Sequence, residues 1–238
     1  MVIQGIKQAV ILAAGESSRF WPLCEDSHKS LIRLLGQPLI VWALRALSRA
    51  GISRTIIVQS PERPIERALG DGSAFQIDLE LKYVTQEKPS GMGDALLQAE
   101  SLLMEEFFVL NPQQVTADRW LPLMSEKAKR TRAAAVLAGL KTDQPEKYGI
   151  LKLDGDRARD LVEKPAGPEA PSKIRVAGIY LLRHDFFDVY RQVEPDVYAF
   201  EAALARLMQE DDVRVVVNEE GRPPSLKYPW DLFEIAQL

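Results

Sequence analysis

The chain has 238 residues, 46% of them hydrophobic and 27% charged, with a formal net charge of −4 and a pI near 5.4. That length and balance describe a globular protein able to bury one substantial core in a single large α/β domain. The acidic balance supplies no basic field for nucleic acid, although it is compatible with a local cationic pocket. The lone cysteine, Cys24, excludes an internal disulfide and a cysteine-based zinc site, and His28 and His184 lie too far apart in sequence to suggest a histidine-rich one. Neither a signal-peptide pattern nor an apolar run of bilayer length is visible, so no membrane partner is expected and the cytoplasm is the expected location.

Gln8 to Ala13 reads as a buried strand, followed by a polar loop and an amphipathic helix from Pro38 to Leu47 closed by Gly51. Thr55 to Gln59 is a β-branched strand and Pro64 to Leu69 a short helix, completing a βαβ unit. Leu79 to Gln86 alternates as a strand, Gly91 to Glu106 reads as a helix, and Phe107 to Leu110 as a short buried strand. Helical spacing from Leu121 to Thr131 precedes a strand from Ala133 to Leu140. To this point the pattern predicts a doubly wound parallel sheet with its ligand crevice at the strand C-termini.

From Lys147 the texture changes to short strands: Gly149 to Leu153, an Asp154-Gly155-Asp156 turn, then Asp160 to Glu163. A Pro- and Gly-rich loop leads to a strand from Val176 to Leu182 and helices near Asp185 to Tyr190 and Phe200 to Glu210. Val213 to Val217 is a late strand and Trp230 to Gln237 a final helix. No repeat is visible, so one domain is expected over 1–238.

Three segments carry chemistry. In the first, Leu12-Ala13-Ala14-Gly15 leads to Arg19 and Lys29. Small residues let backbone N–H groups approach phosphates, Arg offers a planar fork and Lys a point charge. The string lacks the Gly-Lys-Ser/Thr of a Walker loop and the glycines of a dinucleotide fingerprint, and by itself it also fits an ordinary first loop with solvated cations. In the second, Gln86 ends a strand before Gly91 opens a helix; an amide there can read a base edge, while Pro and Gly equally mark a plain surface loop. In the third, Gly149, Glu163-Lys164-Pro165 and Val176 to Tyr180 bring a backbone platform, a carboxylate for sugar hydroxyls and an ammonium for a phosphate into one part of the chain.

Taken in this order, the segments resemble the sugar-1-phosphate nucleotidyltransferases, whose opening signature has the form LAAGxGxR…P…K. Leu12, Ala13, Ala14, Gly15, Arg19, Pro22 and Lys29 fill it, with Ser17 in place of a usual Gly and His28 in place of a usual Pro. The resemblance implies a Rossmann-like, mostly parallel sheet of the nucleotide-diphospho-sugar transferase type with a β-rich sugar-binding elaboration. Residues 1–146 would form mainly the nucleotide half and residues 147–238 mainly the sugar-phosphate half. The implied reaction is attack of a sugar-1-phosphate on the α-phosphorus of an NTP, releasing pyrophosphate and giving an NDP-sugar.

The resemblance assigns Arg19 and Lys29 as catalytic. It places Leu12, Ala14, Gly15, Gln86 and Gly91 on the nucleotide, and Gly149, Glu163 and Lys164 on the sugar phosphate. Self-association is left open, and no second activity is expected from the sequence in hand. The family also implies Mg²⁺ held by two Asp residues, yet Gln113 and Ser225 stand at those positions. Neither brings the negative charge that such a site uses. The departure opens an alternative reading: an impaired or inactive homologue that binds nucleotide or sugar phosphate as a regulatory subunit.

Overall fold

The computed structural model describes residues 5–24, 28–218 and 226–238. In chain order the strands and helices are β1 (Gln8–Ala13), β2 (Arg33–Leu34), β3 (Gln37–Pro38), α1 (Leu39–Ala50), β4 (Arg54–Gln59), α2 (Pro64–Leu69), β5 (Glu80–Thr85), α3 (Met92–Ala99) and β6 (Glu106–Leu110). There follow α4 (Ala117–Thr131), β7 (Ala135–Lys141), β8 (Gly149–Asp154), β9 (Arg157–Glu163), β10 (Ile174–Arg183), α5 (Phe186–Tyr190), α6 (Ala199–Glu210), β11 (Val213–Val217) and α7 (Asp231–Ile235).

Nine of the strands make one sheet in the order β5-β4-β1-β6-β10-β7-β11-β9-β8, while β2 and β3 form a small separate hairpin. β1 is buried along its whole length, as a Val/Ile/Leu/Ala strand covered on both faces must be. It pairs in parallel with β4 and β6, β4 with β5, and β7 with β11. The strand alternation sorts side chains onto two faces. Ile11, Ile57 and Phe108 meet α1 and α4 through Leu44, Leu47 and Trp120 on one face. Val10, Ile56 and Val109 meet α3 and α6 through Leu96, Phe200 and Leu204 on the other.

The parallel run expected up to Leu140 is interrupted. β10, from the second half of the chain, lies between β6 and β7 and runs antiparallel to both. β6 and β7 therefore keep a common direction without touching, and the two halves share one continuous sheet. The helix expected as far as Glu106 stops at Ala99, followed by a short 3₁₀ turn. Its end is pinned by the buried Gln8 amide, which donates to the Leu102 carbonyl (2.8 Å) and accepts from Met104 N–H (2.7 Å). Helix α4 begins four residues before the expected Leu121, carrying Pro122 inside it.

A third, smaller cluster joins Phe20 of the loop after β1 to Leu226 and Ile235 of the C-terminal segment. It brings residues near both ends of the chain to the mouth of one cleft.

Candidate active site

A cleft of about 950 Å³ opens above the C-terminal ends of β1, β5 and β6. Leu12, Ala14, Gly15, Arg19 and Lys29 line it from the first segment, and Gln86 and Gly91 from the second. Gly149, Glu163 and Lys164 line it from the third, and Gln113 from the loop after β6. Ser225 lies outside the described residues.

The turn after β1 is tied to Lys29 by the two residues that depart from the family signature. Ser17 Oγ accepts the Lys29 backbone N–H (3.0 Å). His28 Nε2 donates to the Gly15 carbonyl (3.1 Å), while Nδ1 accepts from Ser30 N–H (3.2 Å) and Ser30 Oγ (2.7 Å). This network assigns the neutral tautomer with its proton on Nε2. Burial, then the neighbouring Lys29 charge, lowers the His28 pKa to about 4, against the backbone bond to Gly15. His28 thus stays uncharged and braces the turn, a role its sequence context does not signal. Lys29 itself, with Nζ 3.4 Å from the Leu226 carbonyl, is held below the usual ammonium range, first by burial and then by Arg19.

Between β5 and α3, Gln86 is buried and its Nε2 donates to the Gly91 carbonyl (3.1 Å) and to Asp94 Oδ2 (2.7 Å). Both amide protons are therefore engaged within the protein, and Oε1 remains the group available to a ligand N–H.

The far end is built where β8 departs and β9 returns. Gly149 stands opposite Glu163 in that ladder, and a Cβ at residue 149 would come within 2.9 Å of Glu163 Oε2. A larger residue at 149 would push the Glu163 carboxylate and Leu161 Cδ1 (3.0 Å) out of their present positions. Lys164 donates its N–H to the Tyr148 carbonyl (3.0 Å) and adopts φ +47°, a left-handed conformation unfavourable for a long side chain. Its Nζ lies 3.4 Å from Glu163 Oε1 and 5.7 Å from the Tyr198 ring centre.

Behind this pair stands Glu201, on α6, whose Oε2 is buried with no hydrogen-bond partner among the described residues. Burial raises its pKa to about 7; its own backbone hydrogen bond opposes the rise, Glu163 and Asp196 add to it, and Lys164 works against it. Glu201 escaped sequence reasoning because it sits inside an ordinary amphipathic helix.

Two further cations also emerge only in three dimensions. Arg175 of β10 reaches the cleft beside a bulge at which Gly178 takes φ +74° and the β10–β7 register shifts between Val176 and Tyr180. Lys227 reaches it from the C-terminal segment. Lys227 is held below the usual ammonium range, first by burial and then by Arg175 and Lys164; Glu163 opposes this and Arg19 adds to it.

The donors after β6 do not suit a protein-held Mg²⁺. Asn111, Gln113 and Gln114 offer neutral amides, and Gln114 Nε2 is committed to the Ala177 carbonyl (3.0 Å). No group of three His, Cys, Asp or Glu side chains is placed to hold a metal among the described residues. An amide can coordinate a hard cation, yet without carboxylate charge it competes poorly with water.

By sheet order, helix placement and cleft position this is a doubly wound α/β protein whose main cleft lies above the strand C-termini. The sequence model describing nucleotidyl transferases matches residues 8–226, and the chain belongs to that family, whose members generally depend on Mg²⁺. It is 27% identical over 228 residues to the bifunctional protein GlmU of Methanococcus maripaludis, covering 94% of this chain and 52% of that protein. It is 29% identical over 195 residues to a glucose-1-phosphate thymidylyltransferase of Streptomyces antibioticus, covering 79% of this chain and 52% of that one. The chain thus spans about half the length of these two curated relatives. In fold it is similar to the UTP-bound UGPase from Acinetobacter baumannii, with a TM-score of 0.81, 22% identity, and coverage of 98% of this chain and 93% of that one. No described helix is long and apolar enough to cross a membrane.

Proposed function

We propose that this protein transfers a nucleotidyl group from an NTP to a sugar-1-phosphate, releasing pyrophosphate and forming an NDP-sugar. The observation that carries the reading is the meeting of three segments in one cleft: the cationic turn at Arg19 and Lys29, the amide pocket at Gln86, and the Glu163-Lys164 pair over Gly149. Family membership supports the same reaction class. An oxygen of the sugar-1-phosphate bonds to the α-phosphorus as the bond from that phosphorus to the β-bridging oxygen breaks, and pyrophosphate leaves with the electron pair. No covalent enzyme intermediate is needed.

Arg19 and Lys29 offset charge that builds on the transferring and leaving phosphates, the main catalytic demand of such a step. Leu12, Ala14 and Gly15 bring backbone to the nucleotide, and Gly91, whose φ of +102° and close approach to the Val197 carbonyl require glycine, turns the chain beside the base. The Gln86 Oε1 acceptor suits a base presenting an N–H, such as the imino group of uracil or thymine. Gly149 and Glu163 hold the sugar ring and its hydroxyls, and Lys164 its phosphate. In this reading residues 1–146 supply mainly the nucleotide end and residues 147–238 mainly the sugar-phosphate end.

Relatives named glucose-1-phosphate thymidylyltransferase and UTP–glucose-1-phosphate uridylyltransferase make dTTP, UTP and glucose 1-phosphate the first substrates to try. The alternative of a binding subunit without turnover finds no support among these relatives, which are named as transferases. The test is a matrix of NTPs against sugar-1-phosphates assayed for pyrophosphate release, beside ligand-induced thermal shifts. Release with one pair of substrates is expected. Shifts without release for every pair would overturn the transferase reading.

A further inference from the structure

Six cations line the cleft, Arg19, Lys29, Lys147, Lys164, Arg175 and Lys227, against three carboxylates, Glu16, Glu163 and Glu201. This is a strong local excess in a chain of net charge −4. Two of the six are organised by one aromatic ring. Arg175 Cζ stands 4.3 Å and Lys227 Nζ 3.9 Å from the centre of Tyr148. Lys227 Nζ also donates to the Lys147 carbonyl (2.6 Å), which fixes its direction. Cation–π attraction to the ring holds the two like charges in place and limits their freedom to swing into solvent. Gathering repelling cations in a partly desolvated cleft is unfavourable until an anion enters, and a phosphate oxygen is the anion that both a guanidinium and an ammonium bind well.

We propose that Arg175 and Lys227, braced on Tyr148, form a phosphate-binding clasp that offsets substrate phosphate charge directly, so that ligand binding in this cleft does not require a divalent cation. The inference rests on the nucleotidyl-transfer reading and specifies how that site holds phosphate. Its ligand chemistry is a phosphate group, supplied by the nucleotide or by the sugar phosphate.

Calorimetric titrations of UTP, glucose 1-phosphate and inorganic pyrophosphate, each in EDTA and in MgCl₂ at matched ionic strength, test it. UTP affinity in EDTA is expected within about threefold of its value in Mg²⁺. Lys227→Ala and Arg175→Ala should each weaken binding in EDTA by about tenfold or more, while Lys227→Arg keeps most of it. Thermal unfolding establishes that each variant is folded, and the charge-retaining Lys227→Arg separates lost charge from lost packing on Tyr148. Losses shared by UTP and pyrophosphate assign the clasp to the triphosphate; a loss confined to glucose 1-phosphate assigns it to the sugar phosphate. UTP binding that collapses in EDTA, or alanine variants that bind like the wild type, would overturn the clasp while leaving nucleotidyl transfer standing. Absence of binding by all three ligands in both buffers would overturn both.

Discussion

Replacing Glu201 by glutamine should stabilise the protein at alkaline pH and leave it nearly unchanged in acid. Burial lifts the carboxyl from 4.5 to about 7, with Glu163 and Asp196 adding to the rise. Between those two values the unfolded chain has released its proton while the folded protein retains it, so stability falls as pH rises. Above the folded pKa both states are ionised and the full penalty is present; below the unfolded value it is absent. The shift corresponds to about 3 kcal/mol at pH 8. For a domain of this size that is a rise in Tm of about 6–12 °C for Glu201→Gln at pH 8. Oε2 lacks a partner in the wild type, and the amide that replaces it is equally unserved at every pH. The difference between pH 8 and pH 4.5 therefore isolates the charge. Urea unfolding of both proteins at the two pH values measures it, with thermal scans in parallel. An equal effect at both pH values, or destabilisation at pH 8, would refute the argument.

His28 acts with the opposite sign. Its folded pKa near 4 lies below the unfolded value, so its contribution is lost as pH falls from about 6.5 to 4, by about 3 kcal/mol. The stability gap between wild type and His28→Gln should narrow by that amount across the window, and parallel urea-unfolding profiles would count against it. Lys29→Ala should raise the nucleotide Kd by about tenfold or more with little change in Tm; a folded variant with unaltered binding would remove Lys29 from the phosphate site. Gly149→Ala would press a methyl group toward Glu163 Oε2, 2.9 Å from the ideal Cβ. It should raise KM for the sugar phosphate by about tenfold while leaving the nucleotide Kd in place, and equal loss of both would show a general collapse of the cleft. Gln113→Asp should weaken nucleotide binding in EDTA and introduce a Mg²⁺ dependence, because it adds the missing charge among the amides after β6; calorimetry in the two buffers reads the change, and unaltered binding in both would place Gln113 away from the phosphates.

Much of this protein is legible residue by residue because local chemistry decides it. An unbroken Val-Ile-Leu-Ala run is satisfied only when covered on both faces, so β1 and the turn at Ala14-Gly15 follow from the sequence. The Gln86 and Glu163-Lys164 segments are likewise short strand-to-loop junctions, and their order along the chain carries the family resemblance. What the tertiary structure alone decided depends on contacts between residues far apart in sequence. The position of β10 between β6 and β7 is one such case, since an antiparallel partner can be taken from anywhere in the chain. That insertion, with its bulge, delivers Arg175 to the cleft, while packing of the C-terminal segment on Phe20 delivers Lys227. Charge states belong to the same category. His28 is neutral because burial and the Lys29 charge beside it outweigh the Gly15 carbonyl, and Glu201 is hard to ionise because α6 carries it into a buried place behind Glu163. A sequence names the titratable group, but its solvent and its neighbours are set only when the chain has folded.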